Sequence, residues 1–92
     1  MAAEGAGALY LLVEIIGWVA AVLILGAYAL LTAGKLTARS PLYQWLNVVG
    51  AAGFIVNSGV NGAYPSAVLN VIWAGIGAVA LWSIANARRS ST

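Results

Sequence analysis

The chain has no histidine, no cysteine and no aspartate. Without His or Cys, the usual nucleophile–base pairs are excluded. Zinc and iron sites lose their usual ligands, so no metal and no cofactor is expected. Disulfides are impossible, and nothing reports on a redox compartment. The chain is therefore not expected to be an enzyme. Charge is scarce too: Glu4, Glu14, Lys35, Arg39, Arg88 and Arg89 are the whole of it, 7% of the residues, where soluble domains carry about a quarter. Residues 40–87, a run of 48, hold none. A soluble fold of this size has too much surface to hide so much apolar material. Disorder needs the opposite balance of low hydrophobicity and high charge. The chain reads as an integral membrane protein with the lipid bilayer as its solvent. Its net charge of +2 sits beside apolar segments, as topology signals do, and no nucleic-acid partner is expected.

What is present is enough apolar sequence for three spans of about 20 residues. The first is expected over 8–33, closed by Gly34 and Lys35. The second is expected over 41–60, with Ser40 placed to cap it and Pro41 at the first helical position. Asn61-Gly62-Ala63-Tyr64-Pro65 reads as a tight turn. The third span is expected over 65–87, with Ser90-Ser91-Thr92 as a polar tail. Cations collect in cytoplasmic segments. Lys35 and Arg39 share a side with Arg88 and Arg89, so the N-terminus is expected outside, with Glu4, and the C-terminus inside. A cleaved signal peptide is the competing reading of the first segment, from Ala27-Tyr28-Ala29. The missing basic leader and the presence of Glu14 oppose it. Aromatics agree with these limits: Tyr10, Trp18 and Tyr64 fall near the outer boundary, and Tyr43, Trp45 and Trp82 near the inner one. Trp73 is the exception, eight residues into the third helix and so roughly 12 Å deep.

At about 100° per residue, Gln44, Asn47, Ala51, Phe54, Ser58 and Asn61 share one side of the second helix. The opposite arc holds Trp45, Val48, Val49, Ala52, Ile55, Val56 and Val60. In the third helix Ser66, Asn70, Trp73, Ala74, Gly77 and Leu81 line up. In the first, Glu14, Gly17, Ala21, Tyr28 and Thr32 do so. Polar and small residues are expected to face the bundle interior. Gln44, Asn47 and Ser58 form its polar face, as helix–helix glue or as the wall of a solvated route. Glu14 reads as an interfacial carboxylate at the outer boundary, or as a functional group if it lies inside. Asn70 and Trp73, an amide and an indole one turn apart, read as packing or as part of a site for a small polar solute. Three helices are too few to enclose a route, but they can supply one repeat of a transporter.

These residues resemble the three-helix bundle of the SemiSWEET and PQ-loop transporters. A nearer likeness is to a family of small three-helix bacterial membrane proteins often labelled permeases. The resemblance covers Val13 to Trp82. It rests on Gly17-Trp18-Val19-Ala20-Ala21 in the first helix and on the turn Gly62-Ala63-Tyr64-Pro65, which is similar to a Gly-x-Trp-Pro turn. Asn70, five residues past Pro65, stands where the sugar transporters keep a substrate-contacting asparagine. The first helix departs from the pattern, with Ala27-Tyr28-Ala29-Leu30-Leu31 where SemiSWEETs have a Pro-Gln hinge. Phe54 replaces their pocket tryptophan and Asn57 their tyrosine.

The resemblance implies an all-α fold, a single SemiSWEET-like domain of three transmembrane helices over 1-92, in the bacterial inner membrane. Two functions follow from it. One is a homodimeric half-transporter for a small polar solute, with Asn70, Trp73, Asn57 and Phe54 at the site. The other is a non-transporting accessory subunit of a larger membrane complex, docked by its small-residue or valine-rich faces.

Overall fold

The computed structural model describes residues 2–91, and the side chains of residue 5 and residues 7–89. Thr92 and the side chains of Glu4, Ser90 and Ser91, placed above at the two ends of the chain, lie outside the described residues. Three helices follow one another: α1 over Ala2–Thr32, α2 over Pro41–Val60 and α3 over Tyr64–Ser91. The fold is all-α, as expected. α1 extends further toward the N-terminus and α3 further toward the C-terminus than their apolar cores require, and no proline interrupts Ala2–Gly7 or Asn86–Arg89.

The helix ends follow from two glycines. Gly34 at φ 79° and Gly62 at φ 73° occupy the left-handed region, where a side chain would be strained. Around Gly34, the Lys35 N–H donates to Leu30 O at 2.9 Å and the Gly34 N–H to Leu31 O at 3.1 Å. Around Gly62, Ala63 donates to Ser58 O at 2.8 Å and Gly62 to Gly59 O at 3.2 Å. This paired pattern satisfies the last carbonyls of α1 and α2 and reverses the chain. Pro41 starts α2 where its missing N–H is not needed. Ser40 stands at the cap position but makes no side-chain cap bond. Its hydroxyl instead accepts the Thr37 N–H at 3.0 Å, inside the α1–α2 connection.

α2 lies between the other two helices and packs against both, while the backbones of α1 and α3 make no close approach among the described residues. The molecule measures 57 × 24 × 23 Å. α1 over Gly7–Thr32 and α3 over Tyr64–Arg89 are long and apolar enough to cross a membrane. Gln44, Asn47, Asn57 and Ser58 give α2 a more polar character.

Small residues make these contacts close. A Cβ built on Gly53 would stand 2.9 Å from the Ala20 Cβ of α1, and one on Gly50 would stand 2.6 Å from the Ile24 Cγ1. On the other side, a Cβ on Gly77 would stand 2.6 Å from the Val48 Cγ2. Val48 therefore packs against α3 and does not belong to the outward arc expected of it. Trp45, Val49, Ala52, Val56 and Val60 of that arc are exposed, as expected. In α1 the buried positions are Val13, Ala20 and Ala27. Of the expected α1 stripe, Tyr28 and Thr32 are exposed, while Glu14, Gly17 and Ala21 flank the packed seam.

Candidate functional site

With α1 and α3 held apart, α2 forms the floor of a groove between them, and its polar residues lie there. Asn47 and Ser58 are each only 5% exposed. Inside an apolar bundle such groups need partners, since an unbonded one is costly. Each finds them. Ser58 and Ser66 share a hydroxyl–hydroxyl bond of 2.9 Å that joins α2 to α3. The Trp73 Nε1–H donates to Asn47 Oδ1 at 3.1 Å, and Asn47 Nδ2 donates to Tyr43 O at 2.8 Å. Asn57 Nδ2 donates across to Val13 O of α1 at 2.9 Å. Gly17 permits this bond, because a Cβ there would stand 2.5 Å from that same nitrogen. Gln44 Nε2 reaches back to Ala38 O at 2.8 Å, and Arg39 donates to Ser83 Oγ at 3.3 Å. No buried side-chain N or O among the described residues lacks a partner.

Three cavities follow one another along the groove. The first, about 300 Å³, is lined by Glu14, Gly17, Trp18, Ala21, Phe54 and Asn57. The second, about 330 Å³, is lined by Ile24, Phe54, Ser66, Leu69, Asn70 and Trp73. The third, about 190 Å³, is lined by Ala38, Tyr43, Gln44, Asn47, Trp73, Ile76 and Gly77. Phe54 belongs to the first two and Trp73 to the last two, so neighbouring cavities share a wall. The series runs from the end of the bundle with the α2–α3 turn to the end with the α1–α2 connection. The other side of the molecule is different: the cavities there are lined by apolar side chains such as Val19, Leu23 and Val49, or Trp45 and Leu81, with Arg88 at one end.

The expected solute residues thus come together, but around two adjoining cavities. Asn57 lines the first, Asn70 and Trp73 the second, and Phe54 both. Gln44 and Asn47 line the third. Ser58 lines none; its hydroxyl is committed to Ser66. Asn70 makes its bond within α3, from Nδ2 to Ser66 O at 2.9 Å. Glu14 stands in the wall of the first cavity, level with Asn57 and about one helical turn from the α2–α3 connection. Sequence reasoning did not anticipate Trp18 in this wall. Its spacing of four from Glu14 on one helix face was the available signal.

Comparison with known proteins adds the family and no more. No curated protein and no solved structure matches the chain. The model of an uncharacterised protein family matches residues 13–89, which take in α2, most of α1 and α3 and every residue of the groove, and the chain belongs to that family.

Proposed function

We propose that this chain crosses a bilayer three times, with its N-terminus outside, and that its groove is half of a route for a small polar solute, completed by a second copy. The observation that carries this reading is the succession of three adjoining cavities on one side of the bundle, from Glu14 to Gln44. A groove that faced lipid along its length would leave the Asn70 amide in hydrocarbon and the Glu14 carboxylate at its edge, which is costly. A second copy placed groove to groove covers both and doubles the lining. The direction follows from Lys35, Arg39, Arg88 and Arg89 at one end of the bundle. The resemblance to SemiSWEET and PQ-loop bundles supports the same plan, in a bacterial inner membrane. No proline stands at the place of their hinge, so movement in this chain rests on the unconnected pair α1 and α3.

Uptake of a panel of labelled small polar solutes into proteoliposomes tests the reading, beside size-exclusion of the same protein. The wild type is expected to assemble as a homodimer and to take up at least one solute. Asn70→Ala is expected to abolish uptake and leave assembly intact, since its bond lies within one helix. A well-assembled wild type that moves nothing overturns the proposal.

A second reading has its own support. Asn57, Ser58 and Asn47 each spend a polar group on tying helices together. That is what a packing subunit of a larger membrane complex requires. In that case Asn70→Ala loosens the fold or releases the chain from its complex, and there is no uptake to lose.

A further inference from the structure

Glu14 is the only carboxylate among the described side chains. The four cations stand at the far end: Lys35 and Arg39 in the α1–α2 connection, and Arg88 and Arg89 in the last turn of α3. No basic side chain lines the cavity that Glu14 shares with Trp18, Phe54 and Asn57. Glu14 is half-buried, about one helical turn from the α2–α3 connection, and a cation beside it would offset the cost of its partial burial. No described residue of this cavity supplies one.

We infer that this cavity binds a monovalent organic ammonium ion. The single carboxylate sets the sign and the valence. Trp18 and Phe54 set the kind of cation: the faces of aromatic rings attract a weakly hydrated, alkylated ammonium group. A hard metal ion is a poorer fit. Calcium and magnesium ask for six or more oxygens, and the described residues contain no cluster of three metal-ligating side chains. Asn57 is held to α1 through its Nδ2, so its carbonyl oxygen remains to accept an N–H or O–H of the guest. Gly17 keeps that amide in place, because any larger residue collides with it. The volume of about 300 Å³ lies at the small end of small-molecule sites, suited to a cation of choline size. The inference rests on the pathway reading for the ion's onward movement, and stands without it for binding.

Equilibrium dialysis of the purified full chain in mild non-ionic detergent against radiolabelled choline tests it. The competitor is 3,3-dimethylbutan-1-ol, the neutral isostere of choline. Choline is expected to bind saturably, with little displacement by the alcohol. Binding is expected to be at least tenfold weaker in Glu14→Gln and about three- to thirtyfold weaker in Trp18→Leu, the range of a ring–cation contact. Val49→Leu, on the opposite side, is expected to bind as the wild type does. Equal binding in Glu14→Gln and wild type, displacement by the alcohol as effective as by choline, or no saturable binding by a helical, monodisperse wild type would each overturn the site. Choline binding without uptake into proteoliposomes leaves the site standing and removes the pathway. Uptake of neutral solutes without choline binding does the reverse.

Discussion

Replacing Gly53 by alanine probes the tightest inflexible contact between α1 and α2. The added methyl would stand 2.9 Å from the Ala20 Cβ and 3.4 Å from Ile16 O. Carbon atoms prefer about 3.5–4.0 Å. Alanine has no side-chain torsion by which to withdraw, and a carbonyl oxygen moves only with its backbone. The helices must therefore separate locally by about 1 Å, or tilt. Overpacking of this kind typically costs about 1–3 kcal/mol. Against it stands a gain of about 0.5–1 kcal/mol from removing a glycine inside a helix. The net expectation for Gly53→Ala is a loss of about 0.5–2 kcal/mol. Gly26→Ala supplies the control, since a Cβ there meets nothing within 4 Å. It is expected to be neutral or stabilising by about 0.5–1 kcal/mol. Unfolding in mixed micelles, followed by far-ultraviolet circular dichroism, measures both. Ala20→Gly in the Gly53→Ala background removes the collision, and the pair is expected to show a coupling of about 1 kcal/mol or more. Equal midpoints for Gly53→Ala and Gly26→Ala, or strict additivity in the cycle, would refute the close approach.

Orientation is checked with single cysteines at Ala3, Thr37, Ala63 and Ser91, free of background because the chain has no cysteine. An impermeant thiol reagent on intact cells is expected to label positions 3 and 63 and to spare 37 and 91; labelling at 37 inverts the topology. Asn47→Leu and Ser58→Leu, at buried hydrogen-bonded sites, are expected to weaken folding by about 0.5–2 kcal/mol each. Val49→Leu and Val56→Leu, both exposed on the other arc, are expected to be silent in the same titration, and equal effects on the two arcs would contradict the arrangement.

The three helices and the residues that end them were legible because each depends on local chemistry. Proline fits best in the first turn of a helix, and glycine alone turns freely into the left-handed region at Gly34 and Gly62. The polar side of α2 was legible for a related reason: Asn47 and Ser58 contrast sharply with their neighbours. α1 offered no such contrast. Nearly every residue there is apolar, so Val13, Ala20 and Ala27 carried no mark to separate a packed position from an exposed one. The expected stripe consequently missed the seam and ran onward to Tyr28 and Thr32, which are exposed. Val48 was misplaced because a valine on a polar helix looks outward-facing until Gly77 opens a recess for it on α3. The Ser40 hydroxyl had two acceptable uses, and the Thr37 N–H in the loop took it. The central place of α2 was hidden for a different reason: short connections fix which helices are neighbours in the chain, but not whether the first and third also meet.

That the backbones of the first and third helices stay apart has a consequence for how the molecule is made. Every interface joins elements adjacent in sequence, α1 with α2 and α2 with α3. Each interface can therefore zip up from its own short connection. A chain emerging from the ribosome can close its first hairpin completely, down to the seating of Gly50 and Gly53 on α1, before α3 exists. When α3 arrives it has one surface to meet, and no finished contact must open to admit it.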